Sequence, residues 1–123
     1  MRGFWIDVEG NEGKVVETTG RLKDLYRLCR CDCIDVAVID VDGVPFDFVV
    51  DDEGLLKDSP RASVFDSGGR AMLVGNVVVL RSNCEGDFVG LTEPEAEILK
   101  SRTGMALLGS ANGVREGIVL VAD

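Results

Sequence analysis

AVIDVDGVPFDF, residues 37–48, decides how this chain is folded. Asp-Gly between two apolar runs suits a two-residue type I′ turn, because that turn needs positive φ at both central residues. With Asp42 and Gly43 as the loop, Val41 faces Val44, Ile39 faces Phe46 and Ala37 faces Phe48. All six are apolar and share one side. The other side pairs Asp40 with Pro45, Val38 with Asp47 and Val36 with Val49, and it carries the acids. One apolar and one mixed face is what a half-buried antiparallel hairpin requires. A slip of one residue would exchange the faces and destroy the sorting.

Upstream, RLKDLYRLC (21–29) places Leu22, Leu25, Tyr26 and Cys29 at i, i+3, i+4 and i+7. That is one apolar helical stripe, predicting a helix over about 20–30 with Thr19 as its cap. FWIDVE (4–9) and KVVET (14–18) read as strands around a GNEG turn. Downstream, residues 51–63 read as a polar loop broken by Gly54 and Pro60. Residues 70–82 give one or two strands interrupted at Gly75-Asn76, and 87–91 a short one. Thr92 and Glu95 form the T-x-x-E capping box of a second helix over 93–102, with Ala96, Ile98 and Leu99 facing inward. GSANG (109–113) reads as a loop and 116–122 as a last strand, while 104–108 is ambiguous.

These signals predict one α+β domain over residues 1–123: a mainly antiparallel sheet with two helices packed on one face. The expected core is the hairpin's apolar face, Leu22, Leu25, Tyr26, Val77, Val79, Ile98 and Leu99. A length of 123 residues and 46% apolar content fit a single globular core. No apolar run approaches the roughly 18 residues a membrane span needs, and the N-terminus lacks an apolar signal region. A cytoplasmic protein is the expectation, with its four cysteines as thiols.

The net charge is −9, and its placement is uneven. Between Asp32 and Asp58 stand Asp32, Asp35, Asp40, Asp42, Asp47, Asp51, Asp52, Glu53 and Asp58 against Lys57 alone. Direct nucleic-acid binding is disfavoured, since phosphate contacts need clustered Lys and Arg. An acidic face is either simply solvated or a docking surface for a basic partner.

The tempting chemistry reads as structure. Cys29, Cys31 and Cys33 alternate, whereas zinc sites use C-x2-C pairs. Alternate strand residues lie about 7 Å apart, too far for neighbours to share one ion. A four-thiolate set with Cys84 is the remaining metal reading, and no histidine is present to help. DVDG (40–43) resembles the D-x-D-G opening of haloacid-dehalogenase phosphatases, which would make Asp40 the nucleophile and Asp42 the acid/base. The hairpin accounts for the same residues as a turn. DDEGLLKD lacks the spacing of a calcium loop, and no glycine motif that cradles phosphate occurs. The sequence calls for no cofactor and offers no catalytic set.

The order of LKDLYRL, the hairpin, VVDDEGLLKDSPRAS, GNVVVL and FVGLTEPEAEIL resembles the small proteins described as domain of unknown function 3846, over roughly residues 14–100. Where members often have a glycine-rich link from helix to strand, this chain has CRCDC. It also departs at Pro60, where the pattern has an Asn near Arg61. The resemblance implies an accessory protein of a phage or mobile element, with no assigned activity.

Three functions are therefore expected. The first is a non-enzymatic protein-binding or regulatory module, including an anti-defence inhibitor that mimics nucleic acid. Its candidate surface is Asp40, Asp47, Asp51, Asp52, Glu53 and Arg61. The second is a small-ligand protein or enzyme using the 51–61 loop. The third is a homo-oligomeric component, such as a homodimer, pairing through an exposed NVVVL edge.

Overall fold

The computed structural model describes residues 1–56, 60–110 and 113–123, without the side chain of Ser110. The chain opens with a hairpin of β1 (Arg2–Asp7) and β2 (Glu12–Glu17), then α1 (Leu22–Cys29). β3 (Ile34–Val41) and β4 (Val44–Asp51) follow in the register read from the sequence: Val41 opposite Val44, Ile39 opposite Phe46, Ala37 opposite Phe48. Asp42 and Gly43 have φ of 54° and 76°, both in the left-handed region that the turn demands.

The remaining elements are β5 (Ala62–Phe65), β6 (Ala71–Val74), β7 (Val77–Ser82), the two-residue β8 (Phe88–Val89), α2 (Glu93–Ser101), β9 (Thr103–Ser110) and β10 (Gly113–Val121). Residues 104–110 are therefore strand. Of the expected loop at 109–113, positions 109, 110 and 113 belong to strands, and residues 111–112 lie outside the described residues.

Two sheets form. One runs β2-β1-β7-β4-β3, with β8 attached to β7, and the other β6-β5-β10-β9. Every described pairing is antiparallel except β5 with β10. The fold is α+β, as expected.

β7 is the centre of the first sheet, between β1 and β4. Val77, Val78, Val79 and Leu80 are all fully buried, so its continuous apolar run is explained by cover on both faces. NVVVL is thus not an edge, which corrects the expectation that it pairs between copies. The edges are β2 and β3 in one sheet and β6 and β9 in the other.

The two helices lie on opposite faces of the first sheet, where the sequence had suggested one shared face. Val77 and Val79 point to the main core with Phe4, Phe46 and Phe48, where Val64, Ile118 and Leu120 of the second sheet and Ala96 and Leu99 of α2 meet them. Val78 and Leu80 point the other way, with Val49, onto Leu25, Leu28 and Cys29 of α1.

The buried stripe of α1 is rotated from the predicted one. Leu28 replaces Leu22, which is 56% exposed, and Tyr26 is half-buried. Thr19 does not cap the helix. Arg21 holds that position without a side-chain bond, and Asp24 reaches back to accept from Thr18 Oγ1 at 2.5 Å and the Thr19 amide at 3.2 Å. The capping box of α2 is present in both directions, Thr92 amide to Glu95 Oε1 at 2.8 Å and Glu95 amide to Thr92 Oγ1 at 3.3 Å.

The DVDG turn is held from the far end of the chain. The Asp123 carboxylate accepts from the amides of Asp42 (2.8 Å) and Gly43 (2.9 Å), and Arg102 donates to it at 3.1 Å. These bonds, the Gly43 amide foremost, hold the Asp123 carboxyl below the usual carboxylate range. A depressed folded value means the contribution is present above the unfolded pKa of about 3.9 and is lost as pH falls through the folded one. Asp123→Ala should therefore lower the melting temperature at pH 7, with the gap to the parent closing below about pH 4. Thermal unfolding at both pH values checks this; a gap independent of pH would refute it.

Candidate functional site

One end of the molecule gathers the β1–β2 turn, the C-terminus of α1, the loop after β4, the β6–β7 turn and the first half of β10. They enclose a cleft of about 460 Å³ lined by Glu9, Asn11, Arg30, Asp51, Arg61, Asn76 and Arg115, among others.

Its floor is a buried polar network. Asn76, 3% exposed, donates to Leu28 O at 3.0 Å and Asp7 Oδ1 at 3.3 Å, and accepts from the Val8 amide at 3.0 Å. Trp5 Nε1 also donates to Leu28 O, at 3.0 Å. Arg30 follows α1 in the left-handed conformation, φ 55°, and its guanidinium meets Asp7 at 3.5 Å and Glu9 at 3.1 Å.

Arg61 is placed differently. Its guanidinium donates to Val8 O and Asn11 Oδ1, both neutral, and its Nε is buried with no hydrogen-bond partner among the described residues. The side chain crosses directly over Gly117, where an added Cβ would lie 1.9 Å from Nη2. Only glycine leaves room for that crossing. Burial first, and the neighbouring Arg115 second, push the Arg61 guanidinium below its ordinary range.

The acidic candidates do not form one surface. Asp40 is exposed beside the DVDG turn, and Asp47 is 7% exposed and sits within the sheet. Asp51 ends β4 at its opposite end, about 20 Å along the strand from Asp40, and Asp52 and Glu53 follow it. Asp47 therefore belongs to no docking face, and density along the sequence is not density in space. Asp51 and Arg61 do line the same cleft. Asp52 and Glu53 line a neighbouring groove of about 550 Å³, with Leu55, Leu56 and Met72.

The cysteines are dispersed by the fold. Cys29 is buried and donates to Val49 O at 3.4 Å, and burial pushes its thiol up to about 12. Cys31 is half-buried, Cys33 is exposed, and Cys84 is exposed in the β7–β8 turn. Among the described residues no three Cys, Asp or Glu side chains gather where an ion would sit.

Sequence reasoning missed Asp7, Arg30, Asn76 and Arg115. A glycine before Asn76 was the one available signal, and it marked a turn. Nothing local distinguishes Arg115 from any strand arginine.

The fold and the cleft define a two-sheet α+β protein with a polar cleft at one end. The chain belongs to the family described as domain of unknown function (DUF3846), whose model matches residues 1–103. β10, with Arg115 and Gly117, lies outside the matched residues. Neither the curated proteins nor the solved structures contain a match. No helix among the described residues is long and apolar enough to cross a membrane.

Proposed function

We propose that the protein is a non-enzymatic binding module that docks a protein partner with a basic and apolar surface, as an accessory of a phage or mobile element. The observation that carries this is the one-turn helix Gly54–Leu56. It holds Leu55 (75% exposed) and Leu56 (80% exposed) outward, next to Asp51, Asp52 and Glu53 and across a groove from the half-exposed Met72. Fully burying a leucine is worth about 1.5–3 kcal/mol, so an adjacent pair is a strong anchor for a partner. The acids beside it would speed encounter with a basic surface and set register.

The test is capture from lysate of the source cells followed by native mass spectrometry. A stoichiometric partner should be retained by the parent and by Asp40→Asn at the opposite end. It should be lost with Asp52→Asn/Glu53→Gln/Leu55→Ser/Leu56→Ser, and the parent's complex should weaken as salt rises. A partner that survives the quadruple substitution, or no partner at all, overturns the reading.

A further inference from the structure

We infer that the junction of Arg61 and Arg115 is a binding site for a phosphomonoester with an aromatic or apolar body, of mononucleotide size. The inference does not depend on the docking reading.

Three observations carry it. First, local charge inverts: three arginines against two carboxylates line the 460 Å³ cleft, in a chain of net charge −9. Second, Arg61 and Arg115 have no carboxylate ion-pair partner among the described residues, whereas Arg30 is paired with Asp7 and Glu9. Arg61 is fixed by neutral acceptors instead, with β10 thinned to Gly117 beneath it. Two like charges held together raise the energy of the empty site, and a bound oxyanion relieves it. Guanidinium forks match phosphate geometry.

Third, the same residues border a second cleft. Pro60, Arg61 and Arg115 also line a cavity of about 360 Å³ whose other walls are Ala62, Phe65, Leu107, Leu108 and Gly109. An anion on the arginines would leave its organic part against Phe65 and the leucines. Both volumes fall in the size range of small-molecule sites.

Calorimetric titration with ribonucleoside monophosphates, the matching nucleosides and inorganic phosphate tests the site. A monophosphate should bind at least about tenfold more tightly than its nucleoside. Arg115→Gln, an exposed position, should weaken it about tenfold or more without changing the melting temperature of the unliganded protein. Leu107→Ser should weaken the monophosphate and leave inorganic phosphate unchanged. No monophosphate binding at millimolar concentration, or affinity unaltered by Arg115→Gln, overturns the site. Equal affinity for monophosphate and inorganic phosphate overturns the role given to the apolar cleft.

Discussion

Phe48→Ala is expected to destabilise the protein by about 3–5 kcal/mol, a large share of the roughly 5–15 kcal/mol that holds a domain together. Phe48 is fully buried on β4, between Ala37 of β3 and Val79 of β7. It faces the core shared with Val64, Ile118 and Leu120 of the second sheet. Truncation removes apolar contact and leaves a cavity that two hydrogen-bonded sheets cannot collapse to fill. Val38→Ala, on the opposite side of β3 and 68% exposed, should change stability by less than about 0.5 kcal/mol. Urea unfolding of both variants reads the contrast as a shift in midpoint at constant slope. Equal costs at the two positions would mean that the hairpin faces are wrongly assigned.

Asn76→Ala should cost about 2–4 kcal/mol, because one side chain serves three partners in a buried place. Its loss strands the Val8 amide and removes a donor from Leu28 O and from Asp7. Trp5, the one tryptophan, shares Leu28 O with Asn76, so its fluorescence should report the disturbance. Asn76→Asp should be worse at neutral pH, since it sets a second carboxylate against Asp7. Like-charge repulsion raises the folded pKa of such a pair, so this penalty grows as pH rises through the carboxylate range. Chemical denaturation at pH 4 and pH 7 measures it. An Asn76→Ala cost under about 0.5 kcal/mol would show that the network adds nothing.

Much of this structure was legible in short stretches. Asp42-Gly43 set the hairpin and its register, and Thr92 with Glu95 set the start of α2. Both work because turn chemistry and capping act between residues a few positions apart. Periodicity was less secure for α1. Leu22 and Leu28 are equally apolar, and which of them faces inward depends on Val49, Val78 and Leu80 of the sheet beneath.

The sites illustrate the same boundary. A run of acids from Asp32 to Asp58 suggested one surface, but an extended β4 carries its two ends apart and buries Asp47 between them. Arg61 was singled out from the loop, while its neighbours were not, since Asn11, Arg115 and Gly117 reach it only through packing.

By itself the sequence determined the α+β class, the hairpin register, the second helix with its cap and the family. Only the tertiary structure decided the division into two sheets, the parallel pairing of β5 with β10, the placing of one helix on each face and the arginine junction. The reason is range: local signals are energies between residues near in the chain, whereas these features depend on which distant apolar faces bury one another.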